Sequence, residues 1–485
     1  SLGQFKHSLA LFENLIELPN NKFTNPSIYY TGYIHYLNKE FDSAISFFSK
    51  LINDPRFSLS SRYYILESNF MLQNYSYVTQ NGEVLYDILT NELKTRTARV
   101  LSEAFFAQNN TQKARLYFEK YSMVSGQLNR NDIYFAGILS YAQRDYFRSI
   151  DLLRQVIDRE DSISQNAAYH LAKSYIEIRN KIEALNYFKI ASQYSFDSSI
   201  QEDALFNYAK LSFDLNSNIE PFKEYMSKYT PSQEKFNEIQ NYIATAYLLD
   251  KDYTRALQAL SNIINPSDNE IINLKKAAFL RGMELMELNS YREAIPIFNT
   301  ALQRNSSNIS LSNIIQFWLA EAYYRDNQFQ RSIEINLSLA TRNNSFKNHR
   351  EYPLTMFNLA YGYFRISNYD LAEQWFSRFL SNSPNTFPAQ ANEARVRRGD
   401  CLFMLRKYQE AIESYNKVNS SDQNLQNHSN FQIAIALGLI GNDRAKIETL
   451  RAMLPKSLDK SIRPQVLYEL ARTLVQIGDY TGAIF

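Results

Sequence analysis

Small, aromatic and polar positions along the chain repeat in a fixed frame. In the stretch beginning Asn358-Leu-Ala360-Tyr-Gly-Tyr363, a small residue is followed three positions later by an aromatic one. Asn368, Tyr369 and Ala372 come next, then Phe376 and Pro384. The same frame can be anchored on one small residue per copy, at Ser8, Ala44, Val78, Ala114, Ser149, Ala184, Pro221, Ala256, Ala294, Ser332, Ala372, Ala411, Lys446 and Ala483. Successive anchors lie 34 to 40 residues apart. A period of that length marks stacked supersecondary units, each burying its apolar face against its neighbours.

Twelve residues before most anchors stands a second small residue (Gly32, Ser102, Gly137, Ala172, Ala209, Ala244, Gly282, Ala320, Ala360, Gly399, Ala434, Ala471), and four after most comes a bulky one such as Phe48, Phe188, Phe298, Phe376 or Tyr415. Two antiparallel helices approach closely where both carry small side chains, and a large side chain one turn on fills the remaining space. An aromatic three before most anchors (Phe41, Tyr75, Tyr146, Tyr253, Tyr291, Phe329, Tyr369, Tyr408, Tyr480) closes the hairpin end. Positive φ is expected in the turns at Asn109, Asn289, Asn327, Gly441 and Gly478. Pro19, Pro55, Pro266 and Pro384 fall at repeat boundaries, where they interrupt no helix. The expected fold is an all-α, right-handed α-solenoid of about thirteen helix-turn-helix repeats running through residues 1–485 as one continuous array. Its most regular stretch is 234–418. Degenerate copies are expected near 60–95, 203–232 and 428–455, around the anchors Val78, Pro221 and Lys446.

These spacings resemble the tetratricopeptide repeat (TPR), and the resemblance runs over essentially the whole chain. It implies that the first helix of each hairpin lines the concave side of a superhelix. On that helix, fifteen before the anchor, stand Tyr29, Tyr63, Tyr134, Tyr169, Phe206, Phe279, Phe317, Phe357, Phe431 and Tyr468. Eight before it stand Tyr36, Phe70, Phe106, Tyr141, Phe213, Tyr324, Phe364 and Phe403. The two positions are seven apart, two helical turns, so both rings point the same way. Tyr33 and Tyr361 lie between them. The candidate groove residues are thus Tyr29, Tyr33, Tyr36, Tyr63, Tyr134, Tyr141, Tyr169, Phe206, Phe279, Phe317, Tyr324, Phe357, Tyr361 and Phe364. Packing between repeats explains any single ring, but all eighteen cannot be fully buried at once. Rigid rings lose little entropy on contact, so an aromatic trough favours a bound peptide or protein.

Some TPR proteins hold a peptide's terminal carboxylate with a Lys fifteen and an Asn eleven before the anchor. Here the first position is aromatic almost throughout, and its one cation, Arg99, is followed by Glu103. A clamp of that kind is not indicated. The eleven-before position carries mixed charge (Glu67, Glu103, Lys173, Lys210, Glu321, Asp400), which reads as polar punctuation of an aromatic groove.

Chemistry and charge narrow the picture further. Lys+Arg number 52 and Asp+Glu 50, which points away from nucleic acid as partner. No apolar run approaches the roughly 20 residues that cross a bilayer. His7, His35, His170, His349 and His428 fall in different repeats, and neither a metal-binding helix motif nor a phosphate-cradling glycine loop occurs. Cys401 is alone and sits among apolar neighbours, as a small packing residue does. The expectation is therefore a non-catalytic scaffold with no cofactor and no metal.

Ser1 enters at the end of a hairpin turn and Phe485 lies two residues beyond the last anchor, which predicts a piece of a longer array with any signal peptide outside it. In its Asn-, Tyr- and Ile-rich style the chain resembles large bacterial envelope TPR proteins, and that resemblance implies a periplasmic or outer-membrane-associated place. Two other readings stay open. One is the sensor arm of a cytoplasmic kinase or transcription regulator whose effector domain lies outside this chain, and the other is a glycan-binding envelope protein.

Overall fold

In a computed structural model, residues 2–19, 21–342, 344–382, 385–454 and 461–484 are described. Ser1, Phe485 and the boundary proline Pro384 lie outside them. Among the described residues all regular structure is helical. The chain divides into two compact units, 1–230 and 231–485.

The first unit contains α1 (Leu2–Glu17), α2 (Thr24–Leu37), α3 (Phe41–Ser49), α4 (Ser58–Met71), α5 (Tyr75–Ile88), α6 (Asn91–Ala107), α7 (Thr111–Ser125), α8 (Arg130–Ala142), α9 (Tyr146–Leu153), α10 (Ser162–Glu177), α11 (Lys181–Gln193), α12 (Ser198–Asn216) and α13 (Glu220–Lys228). The second contains α14 (Gln233–Leu249), α15 (Tyr253–Ser261), α16 (Asp268–Glu287), α17 (Tyr291–Leu302), α18 (Ile309–Arg325), α19 (Phe329–Thr341), α20 (Tyr352–Arg365), α21 (Tyr369–Asn382), α22 (Pro388–Met404), α23 (Tyr408–Asn416), α24 (Gln423–Leu439), α25 (Asp443–Ala452), α26 (Arg463–Gln476) and α27 (Tyr480–Ile484).

Every expected anchor falls in an odd-numbered helix, one per helix. Ala44, Ala114, Ala184, Ala256, Ala294, Ala372 and Ala411 are wholly buried. The pairing of small with bulky residues explains the glycines: a Cβ on Gly137 would lie 2.5 Å from Leu153 Cδ2, and one on Gly399 2.5 Å from Tyr415 Cε1. In both units even-numbered helices approach one another, α2 with α4, α4 with α6, α18 with α20 and α20 with α22 among them. Among the described residues no two odd-numbered helices pack as closely. The even helices therefore form the inner layer.

The turn between the helices of a hairpin is built one way in twelve repeats. Five residues before the anchor the backbone takes positive φ, at Lys39, Gln73, Asn109, Arg144, Arg179, Lys251, Asn289, Asn327, Ser367, Arg406, Gly441 and Gly478. The next N–H then reaches the carbonyl five positions back, as Asn110 N to Phe105 O at 2.9 Å, closing the helix end with a Schellman-type bond. That residue also caps the following helix through its side chain at Asn74, Asn110, Asp145, Asn180, Asp252 and Asn442. The five Asn and Gly positions expected to have positive φ do so. The sequence gives no such cue at Lys39, Arg144, Lys251 or Arg406, where the capping bond and tertiary packing override the usual steric penalty.

The three irregular anchors are accommodated differently. Val78 is fully buried in an ordinary hairpin, with Gly82 in place of a bulky residue beneath it. Pro221 lies in the first turn of α13, and the turn before it is one residue shorter, with Ser217 at positive φ four positions earlier. Lys446 is buried, and its ammonium pairs with Glu469 of α26 at 2.9 Å. Where most repeats carry a ring eight before the anchor, this one carries Gly438, and a Cβ there would meet Lys446 Cδ at 2.8 Å. Pro296 lies inside α17, away from any repeat boundary.

Candidate functional site

The inner layer carries the candidate rings, and their surroundings differ by position. The ring eight before the anchor meets the ring that opens the following helix, edge to face, in six repeats. The pairs are Tyr36–Phe41, Phe70–Tyr75, Tyr141–Tyr146, Tyr324–Phe329, Phe364–Tyr369 and Phe403–Tyr408, with centroids 5.4–5.9 Å apart. This geometry suits the ring quadrupoles. It makes these rings clasps of the hairpin end as well as parts of the inner surface.

The ring fifteen before the anchor packs on the bulky residue four after it, as Tyr29 on Phe48, Tyr169 on Phe188, Phe206 on Tyr225 and Phe357 on Phe376. Phe206 is buried in this way, at 7% exposure, while Tyr63 and Phe317, at 1% and 4%, are buried against other neighbours, Tyr64 and Phe346 among them. Tyr29, Tyr33, Tyr36, Tyr134, Tyr141, Tyr169, Phe279, Tyr324, Phe357, Tyr361 and Phe364 are half-buried and keep part of their surface in solvent. Burial pushes the Tyr134 hydroxyl up to about 12.

Two clusters gather several candidates. On α2 and α4, Tyr64 sits among Tyr29, Tyr33, Tyr36 and Phe48, with centroids 6.3, 5.4, 5.1 and 5.2 Å away. Tyr64 is one residue out of the fifteen-before register and was not among the expected residues.

The second cluster lies on α18, α20 and α22. Glu321, Tyr324, Arg325, Phe357, Asn358, Tyr361 and Glu393 line a pocket of about 270 Å³. Tyr361 contacts Tyr324 at 6.4 Å and Phe357 at 5.0 Å. Its hydroxyl donates to Glu393 Oε1, and Arg397 Nε donates to the same hydroxyl at 3.3 Å. Burial raises the Tyr361 hydroxyl far above its ordinary range, and the Glu393 carboxylate adds to that. Glu321 pairs with Arg325 at 2.8 Å and accepts from Asn358 at 3.3 Å.

The polar chain continues through Arg397 to Asp400. Asp400 takes Arg397 at 2.9 Å, the Tyr415 hydroxyl at 2.7 Å and His428 at 3.0 Å. Burial would raise the Asp400 carboxyl, but the contacts with His428, Tyr415 and Arg397 hold it below the usual carboxylate value. Glu321 and Asp400 had been noted from their eleven-before position. Glu393 had not, and its signal is positional: Glu393 and His428 both lie eighteen before an anchor and reach back to the preceding repeat. Asp203 does the same, accepting from the Tyr169 hydroxyl at 2.5 Å.

Residues 279–347 and 357–424 match the tetratricopeptide repeat family model. The chain carries tetratricopeptide repeats. All seven lining residues of the pocket lie within the matched TPR stretches. Among solved structures, the C-terminal part of a TPR repeat-containing protein from Cytophaga hutchinsonii aligns with 51% of this chain and 99% of its own, at 15% identity and a TM-score of 0.39. No curated protein matches the chain.

Among the described residues little else suggests chemistry. Cys401 is fully buried, and burial, with Asp400 and Glu373 nearby, pushes its thiol up to about 12, unlike a nucleophile. Among the described residues no group of three or more His, Cys, Asp or Glu side chains could hold a metal, and no helix is long and apolar enough to cross a membrane.

Proposed function

We propose that the chain is a non-catalytic scaffold whose inner, even-numbered helices hold a peptide or protein segment. The observation that carries this reading is the pocket on α18, α20 and α22, where the half-buried rings Tyr324, Phe357 and Tyr361 stand beside hydrogen-bonding carboxylates. TPR arrays generally mediate protein–protein contact, which supports the same conclusion. Half-buried aromatic rings with polar neighbours supply contact area at low entropic cost and fix the orientation of a bound chain. The composition supports a place in a bacterial envelope, periplasmic or associated with the outer membrane, and fractionation of host cells tests that separately.

A photo-crosslinking amino acid placed at Tyr324 and, as control, at Leu337 on the outer helix α19 tests the face. A partner captured from Tyr324 and not from Leu337 is the expected result. Capture from Leu337 alone would move the binding face to the odd-numbered helices.

A further inference from the structure

We infer that the pocket on α18, α20 and α22 receives an arginine side chain of the bound segment, an assignment that rests on the peptide-binding reading above. Three features converge on it. The walls are aromatic: Tyr361 meets Tyr324 and Phe357 edge to face, and all three half-buried rings line the one pocket. At about 270 Å³ the pocket is at the lower edge of small-molecule sites, about 300–1,000 Å³, and is sized for a single long side chain.

The lining charge favours a cation. Its ionisable members are two carboxylates, Glu321 and Glu393, and one guanidinium, Arg325, so with neutral tyrosines the balance is −2 + 1 = −1. The cations around it are already engaged. Arg325 turns back on Glu321, Arg397 is held by Asp400, and Arg365 lies over the Phe329 ring. Glu393 spends one oxygen on Tyr361, and its other oxygen has no hydrogen bond among the described residues. A carboxylate with one open oxygen beside half-buried aromatic rings suits a planar cation.

Arginine fits better than lysine. A guanidinium stacks on an aromatic face and donates in its plane to a carboxylate at the same time, whereas an ammonium is a compact, strongly hydrated charge. The family-type clamp for a terminal carboxylate would need the opposite lining. No Lys–Asn pair occupies those positions here.

The test uses the full chain and three labelled peptides read by fluorescence anisotropy: a short Gly-Arg repeat, the same peptide with citrulline for arginine, and the same with glutamate. Citrulline keeps the shape and removes the charge. The arginine peptide is expected to bind about tenfold tighter than the citrulline peptide. Glu393→Gln, which still accepts from Tyr361, is expected to erase most of that difference. Phe357→Leu should weaken the arginine peptide several-fold without touching a charge. Glu119→Gln, on the outer helix α7 of the other unit where it pairs with Arg115, should change nothing.

Equal binding of the arginine and citrulline peptides, tighter binding of the glutamate peptide, or indifference to Glu393→Gln would each overturn the assignment. If no peptide binds while crosslinking from Tyr324 persists, the arginine assignment fails and the scaffold reading stands. Loss of both would end both.

Discussion

The tyrosine cluster of α2 and α4 and the pocket of α18, α20 and α22 are built from the same repeat positions, yet they end in different surfaces. Around Tyr64 the rings satisfy one another. Tyr64 stacks on Phe48 at 5.2 Å and 15°, and Tyr29 stacks on Phe57 at 4.9 Å. Glu67 meets this cluster at its edge, where after burial it is the next cause raising the Tyr36 and Tyr63 hydroxyls. Around Tyr361 the rings instead share space with Glu321, Glu393, Arg397 and Asp400, and an opening remains. Ring abundance alone therefore does not make a binding face. What the second cluster adds is a carboxylate, Glu393, that reaches back from the next repeat to its central tyrosine.

The sharpest break of this contrast is at Asp400. Asp400→Ala should cost about 3 kcal/mol in chemical denaturation, because three donors lose their acceptor in a largely buried place. A cost below about 1 kcal/mol would show that the polar chain is solvated and incidental. Tyr64→Leu should cost about 2 kcal/mol through lost ring contacts. A loss near zero there would mean that the stacking of the first cluster adds nothing to its burial.

Acid separates the two regions next. The Asp400 carboxyl is held below its unfolded value, so its contribution is fully present above the ordinary carboxylate range and is lost as pH falls through the depressed value. Between pH 7 and about pH 3 the native protein should lose more stability than Asp400→Asn does. Tyr64→Leu should keep the native slope. Equal slopes in all three proteins would remove Asp400 from the account.

The smallest effect tests what the regions have in common. Lys39 and Arg406 both sit at positive φ, 65° and 61°, in the shared turn. Lys39→Gly and Arg406→Gly should each change melting by no more than about 1 kcal/mol equivalent, in the stabilising direction, since relief of backbone strain outweighs added chain entropy. Destabilisation at either site would show that its side chain contributes more than its backbone conformation costs.

Much of this architecture was legible in the residues. The anchor frame placed all fourteen odd-numbered helices, because close helix approach admits only small side chains at one position and leaves a strong period. The same frame foresaw hairpin-closing aromatics, and each of Phe41, Tyr75, Tyr146, Tyr253, Tyr291, Phe329, Tyr369, Tyr408 and Tyr480 opens its helix. Positive φ at lysines and arginines was not legible, since nothing local marks them. Tyr64 and Glu393 escaped because they lie outside the tracked positions and act across repeats, where a contact depends on how two hairpins stack. Lys446 looked like a worn anchor. Its compensation, Gly438 below it and Glu469 on the next hairpin, becomes visible only once the helices are placed.

The central claim is that the inner helices bind and the outer ones do not. Hydrogen–deuterium exchange of the chain, free and with the partner captured from Tyr324, measures this most directly. The account predicts slowed exchange in α18, α20 and α22, with α17, α19 and α21 unchanged. Protection confined to the odd-numbered helices would contradict it.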